Sequence, residues 1–367
     1  MKNMKKLNIA KLFLLATVVG SVLFFASCGE PESESTLPLP ITTKTSVTKS
    51  LNQPITLNPL RITHNPSLCR SKSPIVSPED SRPVADSGVS PNVGDGTVLC
   101  SQVISFAKRG IRLTMEDEVD TDCSPEKTYI FAAVYDGHGG DEVAKYLKQN
   151  LKEKILQNIR VGTFKENISA AFLEVDKMIH QVDAHIEDGA GYVGSCATTV
   201  FIDKRTRIAY FANLGDSRTI LITENGGVHF STKDHKPNNP EEQARIEGAG
   251  GCVFSNRVNG NLAVSRAFGD YFFKPVQGDG TIDINKYLVS PIPNVTAVQL
   301  QPTDKFIVLA CDGIWDVFRN EEVAQFVLAQ SQAGSKNIAK DLVDKALSRE
   351  KHSTDNCSAI VISLDIH

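Results

Sequence analysis

The sequence predicts an α+β domain in which two mainly antiparallel sheets are flanked by pairs of helices. Three observations carry that expectation. A continuous apolar run, Tyr129 to Tyr135, is followed by two long helical periods. The stretch from Cys196 to Ile222 is strand-rich and broken by turn residues at short intervals. Phe306 to Ala310 precedes two further helical segments and a closing apolar run, Ser358 to Leu364. The order strand, helix pair, meander, strand, helix pair, strand suits two covered sheets better than one doubly wound parallel sheet.

The first run stops at Asp136, as a buried strand does when it delivers a polar group at its C-terminal end. Beyond Gly139-Gly140, Val143, Leu147, Leu151, Ile155 and Ile159 recur every four residues and form one face of a helix. From about 166 to 186, Ile168, Phe172, Val175, Ile179, Val182 and Ile186 alternate steps of four and three, which gives a second helix. Strands follow at 196–202, 208–213 and 219–222, punctuated by Asp203-Lys204, Gly215-Asp216 and Asn225-Gly226-Gly227, so hairpins are expected. Residues 241–247 read as a brief helix stopped by Gly248, and 252–290 as irregular chain. Helices near 320–331 and 336–348 precede the last strand.

Composition limits the function. With 367 residues, 41% of them hydrophobic and 22% charged, the chain is neither a disulfide miniprotein nor a wholly disordered polymer. Lysine and arginine total 39 against 43 acids, a formal net charge of -4, so no basic surplus marks a nucleic-acid binder. Residues 1–28 read as an export signal: Lys2, Lys5, Lys6 and Lys11 precede the apolar run Leu12 to Ala26, shorter than the roughly 20 residues of a spanning helix. Phe25-Ala26-Ser27-Cys28 resembles a bacterial lipobox, with phenylalanine where leucine is usual. The expected location is an exported lipoprotein held at the membrane through a lipidated Cys28, with an uncleaved signal anchor as the alternative.

Residues 29–98 hold ten of the 17 prolines and too few clustered hydrophobes to offset the entropy of ordering, and read as a tether. The folded domain is then 99–367. Cys28 aside, the seven remaining cysteines show no C-x-x-C pair or repeated spacing and suggest neither a zinc site nor a disulfide framework. Cys196, Cys311 and Cys357 lie inside apolar runs and read as small core residues.

Four short polar clusters stand beside the apolar strands, and each holds a carboxylate: Glu116-Asp117, Asp136-Gly137-His138, Asp312-Gly313 and Asp355-Asn356. Any single Asp-Gly is most simply a turn. Three aspartates abutting the runs at 129–135, 306–310 and 358–364 fit that reading less well. If those strands are neighbours, the acids converge at a sheet edge and their repulsion calls for cations. Oxygen donors without a paired His or Cys select hard ions such as Mg²⁺ or Mn²⁺.

These clusters belong to a longer series: Gly110 to Asp117, Val134 to Gly140, Gly194 to Thr199, Asn213 to Arg218, Asp234 to Pro237, Gly260 to Asp270, Ala310 to Asp316, and Asp355-Asn356. In content and order the series resembles the metal-dependent protein phosphatase 2C family, and the resemblance covers nearly all of the folded part. It implies a four-layer α-β-β-α sandwich with a centre of two Mg²⁺ or Mn²⁺ ions, and a weaker third, between the sheets. Asp136 would bridge two ions, the Gly137 carbonyl, Asp312 and Asp355 would complete the shell, and Glu116 and Asp117 would hold metal-bound water. A metal-bridging hydroxide would attack phosphorus directly, hydrolysing phosphoserine or phosphothreonine.

In that scheme Arg112 grips the phosphate through its guanidinium fork and His138 protonates the leaving alkoxide. Without the other motifs, Arg112 is equally an ion pair with Glu116 or Asp117, and His138 a turn hydrogen bond. Asp216 either ligates the third metal or pins a hairpin turn. Arg266 is expected to brace loops, Trp315 to sit in the core, and 234–251 to form a flap over the cleft. The partners implied are phosphorylated proteins, with no nucleic acid, and a monomer is expected. Cys196 and Asn294 stand where the family usually has threonine or serine, and aspartate.

Overall fold

The computed structural model describes residues 98–159, 163–183, 190–275 and 283–366. The expected signal and nearly all of the expected tether lie outside the described residues. Among those residues, no helix is long and apolar enough to cross a membrane.

The chain opens with strands β1 (Val98–Lys108), β2 (Glu118–Asp122) and β3 (Tyr129–His138), then helices α1 (Glu142–Asn158) and α2 (Phe164–Asp183). Four consecutive strands, β4 (Gly194–Asp203), β5 (Ile208–Leu214), β6 (Arg218–Thr223) and β7 (Val228–Ser231), lead into α3 (Pro240–Gly248). Three two-residue strands follow, β8 (Val253–Phe254), β9 (Arg257–Val258) and β10 (Phe268–Gly269). The chain closes through β11 (Asn294–Gln299), β12 (Asp304–Ala310), the single turn α4 (Asp312–Trp315), α5 (Asn320–Gln332), α6 (Ile338–Ala346) and β13 (Cys357–Ile366).

One sheet has the order β1-β13-β12-β6-β7 and the other β11-β5-β4-β3-β2, with β10 added beside β4. Every named strand pair is antiparallel. Strand alternation explains the layering. In β3, Ile130, Ala132 and Val134 face the other sheet, where they meet Ile307 and Leu309 of β12 and Ile360 and Ile362 of β13. The intervening Phe131, Ala133 and Tyr135 face Leu147, Leu151, Phe172 and Val175 on α1 and α2. Val308 and Val361 likewise turn outward onto Val323, Val327, Leu342 and Val343 of α5 and α6. The result is four layers, helix pair, sheet, sheet, helix pair, as the sequence predicts. Strands covered on both faces have no polar alternation, which is why they read as continuous apolar runs.

Three local expectations need correction. The strand at 129 does not end at Tyr135 but runs to His138, so Asp136, Gly137 and His138 are strand residues paired with Cys196, Ser195 and Gly194. Gly215-Asp216-Ser217 is not a hairpin turn, because β5 and β6 lie in different sheets and the segment crosses between them. Cys252 is disulfide-bonded, against the expectation from cysteine spacing, whereas Cys123, Cys196, Cys311 and Cys357 are free thiols.

Candidate metal centre

Strand register decides where the acids meet. Ala310 at the end of β12 pairs with Ala359 near the start of β13 and with Arg218 at the start of β6. The residues just beyond those ends are therefore neighbours: Asp312 opening α4, Asp355 before β13, and Asp216 in the crossover before β6. The facing sheet contributes Asp136, whose parity in β3 is that of Ile130, Ala132 and Val134, so it points between the sheets. The acids thus converge across the gap between two sheets, not along one sheet edge as the sequence suggested, since β3 is not a neighbour of β12 or β13.

A cavity of about 440 Å³ collects them. Its lining includes Arg112, Glu116, Asp136, Gly137, His138, Asp216, Asp312 and Asp355, so every site residue singled out from the sequence except Asp117 reaches it directly. Asp117 sits behind: its carboxylate accepts from the Ser358 hydroxyl at 2.7 Å and lies with Asp136 and the Cys311 thiol in one group whose ligand atoms are all within 4.8 Å. A second such group joins Asp136, Asp216 and Asp312. Asp136 belongs to both.

The electrostatics fit cation binding. Enclosure by protein, then the charges of Asp312, Asp117, Asp216 and Asp355, push the Asp136 carboxyl well above the usual carboxylate range. Burial followed by Asp216, Asp316 and Asp355 does the same to Asp312, and burial brings Asp117 up to about 6. Such crowding is costly without positive charge, and the donors are almost all hard oxygens, the set suited to Mg²⁺ or Mn²⁺. Lys236 supplies one cation directly, through an ion pair with Asp216. Burial raises the Cys196 and Cys311 thiols well above their ordinary value, which keeps both protonated and unreactive.

Close approach fixes one glycine. A Cβ on Gly137 would stand 2.4 Å from the Glu116 carbonyl oxygen, so a side chain there would drive the 116–117 segment off the metal-side wall. Asn356 ties the same segment to β13: its amide oxygen accepts from the Glu116 N–H at 2.9 Å and its amide nitrogen donates to the Arg109 and Thr114 carbonyls at 2.9 and 3.0 Å.

Arg112 pairs with Asp355 at 2.5 Å and is more than half exposed, so its partner is neither Glu116 nor Asp117. His138 bonds the buried Asp270 at 2.8 Å, a partner that sequence reasoning did not find, although Asp270 lies in a quoted stretch. Burial pulls the imidazole down, but the Asp270 charge and hydrogen bond outweigh it and the net direction is up. Arg266 braces loops through Glu242, the Ile292 carbonyl and Asn294. Trp315 is buried and donates to the Ala310 carbonyl at 2.8 Å. Of the expected flap at 234–251 only Lys236 lines the cavity; Arg257 and Leu262 to Val264 form the rest of that wall.

Two facing antiparallel sheets between helix pairs, with acids meeting in the gap, define a class. Residues 103–356 match the profile of protein phosphatase 2C, and the chain belongs to that family. It is 43% identical to protein phosphatase 1A of Oryctolagus cuniculus over 248 residues, covering 64% of this chain and 63% of that one. To protein phosphatase 1B of Homo sapiens it is 41% identical over 250 residues, 64% of this chain and 50% of that one. The chain thus spans less than two thirds of these relatives' length. Among solved structures, a C. elegans sex determining protein matches with TM-score 0.62 and 26% identity over 71% of this chain and 64% of that one. A phosphatase from Toxoplasma gondii matches with TM-score 0.61 and 24% identity over 74% and 95%, a likeness of fold.

Proposed function

We propose that the protein is a Mg²⁺- or Mn²⁺-dependent phosphatase of phosphoserine and phosphothreonine proteins. One observation carries the reading: carboxylates from both sheets converge on a single cavity that also holds an exposed arginine and a histidine. Asp136, the Gly137 carbonyl, Asp312 and Asp355 would hold two cations, Glu116 and Asp117 would support water on them, and Asp216 would serve a weaker third ion. When bound, these ions activate water for attack on phosphorus and neutralise charge on the phosphoryl oxygens. Arg112, half free of protein, exchanges Asp355 for the substrate's phosphate and orients it by two parallel hydrogen bonds. His138, inside the cavity, hands a proton to the seryl or threonyl oxygen as it departs. Phosphate leaves without having been attached to the enzyme.

The test is phosphate release from a phosphothreonine peptide by the purified full-length chain, with and without Mn²⁺. The reading requires Mn²⁺-stimulated release that Asp136→Asn abolishes while circular dichroism stays unchanged. Release that survives Asp136→Asn sinks it. We also propose export and lipid attachment at Cys28, supported by the pattern in residues 1–28. Cell fractionation should find the protein with membranes and Cys28→Ala should release it; a cytosolic wild-type protein overturns that part.

A further inference from the structure

We propose that Asp270 is a positioning residue that fixes the orientation and tautomer of His138. The inference rests on the phosphatase reading above, in which His138 serves the leaving oxygen. It starts from strand register. The β3–β4 ladder sets His138 opposite Gly194, and the β10–β4 pairing sets Gly269 opposite the same Gly194. Asp270 therefore emerges beside the imidazole from the other flank of β4, and its carboxylate meets Nε2 at 2.8 Å. Gly194 makes the meeting sterically feasible, since a Cβ there would lie 2.3 Å from Asp270 Oδ2 and 2.5 Å from His138 Nε2.

Asp270 sits there at a cost. It is fully buried, its φ of 52° is in the left-handed region, and its second carboxylate oxygen, Oδ1, is buried without a hydrogen-bond partner. A strained, half-satisfied buried acid persists only where its surroundings over-determine it. They do so here. The Asp270 N–H donates to the Val193 carbonyl at 3.0 Å, and the Gly269 N–H donates to Asp176 at 3.0 Å. Lys274, whose side chain has no exposed surface, clamps the same loop by donating to Asp176 at 2.7 Å and to the Ala267 carbonyl at 2.9 Å. This scaffold delivers one carboxylate to one ring nitrogen.

The chemical consequence is selective. With Nε2 committed to Asp270, Nδ1 is the nitrogen left to serve the cavity that His138 lines. As the phosphorus–oxygen bond breaks, its electron pair stays on the seryl or threonyl oxygen, which takes the proton from Nδ1. The ring is left neutral, with its remaining proton on Nε2 against Asp270. The attacking water gives its oxygen and one hydrogen to phosphate and its other proton restores the ring, so the cycle balances. A ring free to turn over, or bearing its neutral-state proton on Nδ1, is misaligned for this transfer.

Leaving-group dependence tests the idea, because p-nitrophenolate departs without protonation and an alkoxide does not. For Asp270→Asn, kcat on a phosphothreonine peptide is expected to fall about 10²-fold, while kcat on p-nitrophenyl phosphate falls less than about threefold, within the range general acids contribute. His138→Gln should show the same split. Gly194→Ala, which wedges a methyl group between the pair, should follow it. A split in His138→Gln that is absent from Asp270→Asn, or an equal loss on both substrates in Asp270→Asn, overturns the positioning role and leaves the phosphatase reading intact. No split in His138→Gln overturns the role of His138 itself, and the inference with it. If Asp270→Asn fails to fold, ¹⁵N spectra of histidine-labelled wild-type protein decide: the neutral His138 ring should carry its proton on Nε2, and a proton on Nδ1 refutes the proposal.

Discussion

Replacing Asn356 with alanine removes a single amide that holds the mouth of the cleft. Asn356 is 6% exposed, and its three hydrogen bonds to the 109–116 segment each contribute about 0.5–1.5 kcal/mol net. Arg109 and Thr114 lie at exposed positions, where water can replace the lost donor at their carbonyls. The total therefore falls toward the low end of the range, about 2 kcal/mol. In a domain of this size that corresponds to about 4–8 °C in Tm. The untied segment carries Arg112 and Glu116, and displacing positioned groups by about 1 Å costs up to about 10²-fold in rate. Thermal unfolding paired with steady-state kinetics on a phosphothreonine peptide, assayed well below Tm, should show both losses. A variant that melts lower yet keeps full kcat/KM would refute the link between Asn356 and the active-site loop; an unchanged Tm would refute the hydrogen-bond argument.

Three further outcomes follow from the same geometry. Saturating Mn²⁺ should raise Tm, by about 2.7 kcal/mol of stabilisation at 100 times Kd, and Asp136→Asn should remove most of that shift in a thermal scan. Lys274→Met strands the Asp176 carboxylate in the interior, and urea unfolding should report a loss of about 3–5 kcal/mol, largely recovered in the Asp176→Asn/Lys274→Met pair. Burial, then the charge of Arg266, holds the His235 imidazole down to about 3 from 6.5. The unfolded state thus binds more protons between those values, so stability is full above pH 6.5 and falls as pH drops through that window, by up to about 1.4 kcal/mol per unit. His235→Asn should flatten that slope, and parallel denaturation curves of the two proteins from pH 7 to 4 would count against the assignment.

What the sequence reveals and what it hides divide along burial. The six strands legible as runs, at 129, 196, 208, 219, 306 and 358, are the inner strands of the two sheets. The four longer strands that escaped, β1, β2, β7 and β11, are the sheet edges. An edge strand is partly solvated, as in the mostly intermediate and exposed residues of β2 and β11, and its mixed polar pattern resembles loop. Asp136, Asp312 and Asp355 were legible because each lies at an end of an inner strand's apolar run. Their true meeting place was not, since pairing between sheets leaves no periodic trace in one chain. Asp270 was hidden for the same reason: 132 residues separate it from His138, and only register joins them. No local signal distinguishes its Gly-Asp from an ordinary turn.

The pairing of β1 with β13 makes assembly of the cleft a late event in synthesis. Among the described strands β1 is the first to be made and its ladder is with the last, β13, Val98 standing opposite Ile366. Until the final strand emerges, β1 has no sheet to join, and closing so long a loop makes that step slow. Asp355 and Asn356 arrive on the same terminal segment, so the cleft receives its last carboxylate and the tie for its arginine loop only then. On the phosphatase reading proposed above, a nascent chain stalled short of residue 355 would lack Asp355 and could not assemble the metal centre.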